Sequence, residues 1–210
     1  IQRTQISLSD NLASMPKIKQ LFAKESAEDE DHNELFKELL EPNPKKRLKA
    51  IVSIKKIVQR KLAKSSAAQA REMVEPLQIL LREILKEDNT EVYLEALNLL
   101  KFIVGTLSSH LSSLDLHLMI GQFISLTVTN ASTANMRIRV ASDKVIIFFA
   151  KHANIGSYIV AKEVLKNVER TSWAIQSTPP ASMSPEAAQA DKAQRKEILV
   201  RHFSILHMLL

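Results

Sequence analysis

The sequence predicts an all-α chain, an α-solenoid of stacked helix pairs, and three observations carry that prediction. Apolar residues recur at three- and four-residue steps along most of the chain, the spacing that puts them on one face of a helix. Glycine is scarce, at 3 of 210 residues, which disfavours sheets joined by tight hairpins. Helical segments also return at regular intervals, separated by short polar turns.

Taken in order, residues 1–32 are polar. A short helix fits Lys17 to Lys24 after Pro16, and the acidic run Glu28-Asp29-Glu30-Asp31 reads as a solvated linker. The domain is expected to run from 33 to 210. Leu35, Phe36, Leu39 and Leu40 form a short apolar face, Glu41-Pro42-Asn43-Pro44 breaks it, and Leu48, Ile51, Val52, Ile54, Ile57, Val58 and Leu62 resume it, which gives a first pair. The second pair is Met73 to Leu85 and Val92 to Val104 across the turn Lys86 to Thr90, with Asn89 or Thr90 capping its second helix. The third spans about Leu114 to Thr129 and Asn135 to His152 around the polar loop Asn130 to Ala134, with Ile138, Val140, Ala141, Val145, Ile146 and Phe149 as a broad apolar stripe. The fourth begins near Gly156 and ends near Trp173. A Pro- and Ser-rich loop from Ser177 to Pro185 leads to a last helix, Ala187 to Leu210, with Ile198, Leu199, Phe203, Ile205 and Leu206 expected inside.

Helix starts near 47, 91, 136 and 190 recur at roughly 40 to 55 residues, close to the ~40–47 residue period of HEAT and armadillo arrays. Such an array grows by adding repeats, so the length does not demand one spherical core.

Composition excludes several functions. There are no cysteines, so disulfides, zinc-thiolate sites and thiol nucleophiles are absent, and a reducing, cytoplasmic compartment is the natural reading. No segment reaches the roughly 18 apolar residues of a membrane span, and no signal-peptide pattern opens the chain. Starting at Ile1 and stopping inside an apolar run, the sequence reads as a piece of a longer polypeptide, truncated at its C-terminal end. His32, His110, His117, His152, His202 and His207 form no His-Glu-x-x-His, and they read as surface or partly packed side chains. With no Gly-x-Ser-x-Gly elbow, phosphate loop or kinase signature, no enzyme is expected, and no cofactor or metal. The net charge of +6 suits an acidic protein, a nucleic acid or an acidic membrane surface.

The segments Thr90-Glu91-Val92-Tyr93-Leu94-Glu95-Ala96-Leu97-Asn98-Leu99-Leu100-Lys101 and Asn135-Met136-Arg137-Ile138-Arg139-Val140-Ala141-Ser142 resemble the starts of inner helices in the second and third HEAT repeats of TOG domains. The likeness is nearest to the divergent TOG domains of the centrosomal and ciliary-tip protein family and of a kinase-kinase-kinase that carries one, and it covers roughly residues 33 to 210. The resemblance implies a non-catalytic, cytoskeletal module, centrosomal or ciliary, that binds the αβ-tubulin heterodimer through its intra-repeat turns. Carried onto this sequence, those turns offer Pro44, Lys45, Lys46 and Arg47 in the first, Asn89, Thr90, Val92 and Tyr93 in the second, Asn135, Arg137 and Arg139 in the third, and the region after Glu169 as the fourth. The family usually places a Trp three residues before an Arg at the first turn. Here Pro44 precedes Arg47 in that place, which removes a large apolar contact and predicts weak affinity or a different partner.

Two other readings compete. A generic HEAT or armadillo scaffold would bind an acidic protein or a peptide on a concave face. Lys55, Lys56, Arg60, Lys61 and Lys64 form a basic face on the first repeat's inner helix that reads as solvated. A phosphate backbone would suit it, but it lacks interleaved aromatics for base stacking, so nucleic acid is not expected. Tyr158 and Trp173 suit either a partner contact in the fourth repeat or, the preferred reading, a cover over the end of the helix that carries them.

Overall fold

A computed structural model describes residues 35, 37–39, 41–132, 135–177 and 183–209. The linker expected over residues 1–32, its short helix and its acidic run lie outside the described residues, as does most of the loop expected after Ser177. Among the described residues the regular structure is helical: α1 Pro44–Lys64, α2 Ala67–Ile84, α3 Thr90–Leu107, α4 Ser113–Ala131, α5 Met136–Lys151, α6 Gly156–Gln176 and α7 Pro185–Leu209. Residues 35 and 37–39 are helical as well. The chain divides into two compact units, Ile1–Leu116 and His117–Leu210.

In the first unit, Asn43 caps α1 by accepting from the Lys45 amide at 3.0 Å, and Pro44 takes the first helical position, where its missing N–H leaves nothing unsatisfied. Ser65 ends α1. Helix α2 starts six residues before the periodicity suggests, because Ser66 and Gln69 form a reciprocal capping box that holds the polar segment Ala67–Glu72 in helical form. Both α1 and α2 pack against α3. Ile51, Ile54, Val58 and Leu62 of α1, Leu77, Leu80 and Leu81 of α2, and Ala96, Leu97, Leu100 and Val104 of α3 are buried. The short connection at Ser65 and Ser66 reverses the chain and the next turn reverses it again, so α1 and α3 run side by side with their N-termini at one end.

In the second unit, α6 packs against α5 and α7, and α7 touches α5. Phe123, Ile124 and Val128 of α4, Val145, Ile146 and Phe149 of α5, Val160 and Val164 of α6, and Ile205 of α7 are buried. The stripe expected on α5 is narrower than its apolar content suggests, since Val140 is exposed. Residues 152–155 turn the chain back, and Gly156 enters α6 at φ 79°, a conformation that a Cβ would strain. Asn167 on α6 is buried and satisfied: its Oδ1 accepts from Ser125 Oγ at 3.0 Å and its Nδ2 donates to the Glu163 carbonyl at 2.8 Å.

Helix α7 departs from its expected register. Phe203 is 54% exposed while His202, one residue earlier, is 2% exposed. Apolar residues lie on more than one face of α7, so periodicity alone does not fix its rotation. Arg201 does: it donates through Nε to the Ala131 carbonyl at 3.2 Å and pairs through Nη2 with Asp143. With Arg201 turned inward, residues 202 and 205 follow it into the core and 203 faces outward. His202 therefore corrects the expectation that the histidines lie at or near the surface.

A candidate partner-binding surface at the intra-repeat turns

Three asparagines begin the second helix of successive pairs. Asn43 caps α1, Asn89 caps α3 through the Glu91 and Val92 amides at 3.1 and 3.2 Å, and Asn135 caps α5 through the Arg137 and Ile138 amides at 3.0 and 3.4 Å. Each is 46 residues from the next. Capping needs an acceptor on a short side chain whose backbone is extended, which is why the same residue type recurs at equivalent turns. This interval is sharper than the helix starts indicate, and it aligns the turns position by position.

In the first unit the two turns are joined. Arg47 reaches from the first turn to the second, with Nε 2.8 Å from Glu87 Oε2 and Nη2 3.2 Å from Glu87 Oε1. Its Nη1 donates to the Glu41 and Pro42 carbonyls at 2.6 and 2.8 Å. Glu87 Oε1 also accepts the Asn89 amide at 2.8 Å. One guanidinium thus holds the chain before α1 and, through Glu87, the cap of α3. Beside it Lys45 and Lys46 are exposed, and Lys46 Nζ sits 3.4 Å from Glu41 Oε1. Pro44, Asn89 and Thr90 are partly exposed around them.

Val92 and Tyr93 are corrections. Each is 1% exposed, because the third and fourth positions after the Asn89 cap turn toward the unit's interior. Neither side chain is available to a partner in this fold. The second position after each cap points outward instead: Lys45, Glu91 and Arg137 are exposed. Glu91 suits the positive end of the helix dipole, yet it makes the turns of the first unit mixed in charge. Arg47 is largely covered, so its place is in holding the turns together.

In the second unit Asn135 and Arg137 are exposed and Arg139 is partly so. Met136, next to the cap, is 63% exposed, an apolar side chain that charge-based reasoning passes over. Because α6 returns alongside α5, its C-terminal end lies toward the N-terminus of α5. That end carries Trp173, 72% exposed, and Tyr158 near the other end is exposed too. The preferred reading, that these two rings cover the end of their helix, is overturned: both stand exposed on α6, with the exposed charges of Lys162 and Glu169 between them.

Comparison with protein-family profiles and with curated protein sequences returns no match. Comparison with solved structures does. The chain superposes on the TOG domain of human Cep104 with a TM-score of 0.63 and 16% identity, over 96% of this chain and 66% of that one. It superposes on a second CEP104 TOG domain structure with a TM-score of 0.62 and 16% identity, over 95% of this chain and 83% of that one. The fold is that of a TOG domain. The all-helical repeat architecture expected from the sequence is thereby shown, while an identity of 16% speaks to the fold alone.

Proposed function

We propose that this chain is a non-catalytic, TOG-type module that binds the tubulin heterodimer through its intra-repeat turns, as part of a microtubule-associated protein of the centrosome or cilium. The observation that carries the reading is the Arg47–Glu87 junction within a TOG fold: it fixes two adjacent turns before any partner arrives, so little ordering entropy opposes binding. Lys45, Lys46 and Arg137 are the proposed electrostatic contacts, with Asn89, Thr90, Asn135 and Arg139 beside them. Met136 and Trp173 supply exposed apolar surface of the sort that anchors interfaces, in a chain that lacks the family's first-turn Trp. Tubulin is an acidic partner, and exposed lysine and arginine contacts mainly raise the association rate and make binding salt-sensitive.

The test is size-exclusion chromatography of the chain with free tubulin at micromolar protein and low salt. A complex should form, weaken as salt rises, and weaken about tenfold when Lys45→Ala, Lys46→Ala and Arg137→Ala are combined. Absence of any complex under the low-salt condition refutes the proposal.

A further inference from the structure

We propose that the solvent face of α1 is a second docking surface, one that takes an extended acidic polypeptide segment. Helix α1 holds nine Lys and Arg among its 21 residues and no Asp or Glu. At 100° per residue, Lys45, Lys46, Lys49, Lys56, Arg60 and Lys64 share one third of the helix circumference, and all six are exposed. The opposite face carries the buried Ala50, Ile51, Ile54, Ile57, Val58 and Leu62, so the cationic stripe is the side left to solvent. It runs about 28 Å along the axis. Like charges four residues apart oppose helix formation, and no acid in the first turn offsets the lysines there; α1 keeps this arrangement against its own local electrostatics.

Chemistry on the stripe favours carboxylate over phosphate. The chain's own carboxylates already sit at its N-terminal end, Glu38 Oε1 at 3.3 Å from Lys49 Nζ and Glu41 Oε1 at 3.4 Å from Lys46 Nζ. Further along, among the described residues, no carboxylate lies within ion-pair distance of Lys56 or Lys64. Five of the six cations are lysines, compact point charges on flexible stems that can each meet one carboxylate. The stripe has no aromatic residue on which a base would stack. Lysines four residues apart stand about 6 Å apart along the axis, and same-side carboxylates of an extended peptide repeat at about 6.6 Å. Val52, exposed midway, gives an apolar side chain of such a segment a place to rest.

The experiment is fluorescence anisotropy of the whole chain with a labelled oligoglutamate and, separately, with a single-stranded RNA of equal charge, at low and moderate salt. Oligoglutamate should bind at low salt, and the triple variant K56Q/R60Q/K64Q should weaken it about tenfold. Lys45 and Lys46 belong to both surfaces, and the variant leaves them in place, so its tubulin complex should be unchanged, which separates the rest of the stripe from the turns. K56E/R60E/K64E should abolish peptide binding, with circular dichroism confirming that the helices remain. Binding that survives the glutamine variant, or the absence of binding, overturns the proposal. So does tighter binding of RNA than of oligoglutamate, which makes the stripe a phosphate surface. A chain that binds peptide only after Glu28, Asp29, Glu30 and Asp31 are replaced by Ser also overturns it, since the face is then filled from within.

Discussion

Replacing Arg47 by Ala removes the junction between the first two turns, and the structure sets the size of the effect. The Arg47 and Glu87 side chains retain 16% and 15% of their accessible surface, so the pair is mostly out of water and its loss is felt more than that of a surface ion pair. Breaking one side of a buried pair costs about 3–5 kcal/mol because the other charge is left uncompensated; the residual exposure here places Arg47→Ala near the lower end, about 3 kcal/mol. Two carbonyls, of Glu41 and Pro42, lose their donor in the same step. Adding Glu87→Gln to Arg47→Ala should restore about 1–2 kcal/mol, since the abandoned carboxylate is then neutral. Arg47→Lys should recover less than half of the loss, because an ammonium does not span a carboxylate and two carbonyls together. Urea unfolding of the four species in a double-mutant cycle, followed by circular dichroism with comparison of m-values, measures the coupling. Additivity of Arg47→Ala and Glu87→Gln to within about 0.5 kcal/mol would show that the two turns are not held by this pair.

Two other outcomes follow from capping and burial. Asn135→Ala should destabilise the second unit by about 1 kcal/mol and speed amide exchange at Arg137 and Ile138, whereas Asn135→Asp should not, because a carboxylate at the N-terminus still accepts both amides; equal exchange in the two variants removes the cap from the account. Burial holds the His202 pKa below its ordinary value of 6.5, so the unfolded chain takes up a proton that the folded one refuses. Stability contributed by neutral His202 is therefore present above pH 6.5 and declines as pH falls below it toward the folded-state pKa, with a slope of at most about 1.4 kcal/mol per pH unit. His202→Leu should flatten that segment of the stability profile measured by thermal unfolding, and an unchanged slope would assign the proton elsewhere.

The helix pairs were written in the sequence because their signals are local. Apolar spacing of three and four residues needs no partner to be read, and an asparagine before each second helix carries its capping chemistry within three residues. Asn43, Asn89 and Asn135 even state the repeat length. Scarce glycine likewise narrowed the fold class before any packing was known. The start of α2 was less visible, since Ala67–Glu72 carries little apolar periodicity and is held by the Ser66–Gln69 box.

What tertiary structure decided is which side of each helix faces in. Val92 and Tyr93 are contact residues by the TOG resemblance, yet they lie in the first turns of α3, whose packing against α1 and α2 carries both into the core and leaves Glu91 outside. On α7 the ion pair of Arg201 with Asp143, 58 residues apart in the chain, turns His202 inward and Phe203 outward, a choice that apolar residues on several faces leave open. The same reason explains Trp173 and Tyr158: a large ring is buried only where a neighbouring helix arrives to cover it, and that arrival depends on residues far along the chain. Periodicity gives a helix its stripe, but the rotation of that stripe is set by long-range contacts, and those contacts are what separate the buried Tyr93 from the exposed Tyr158.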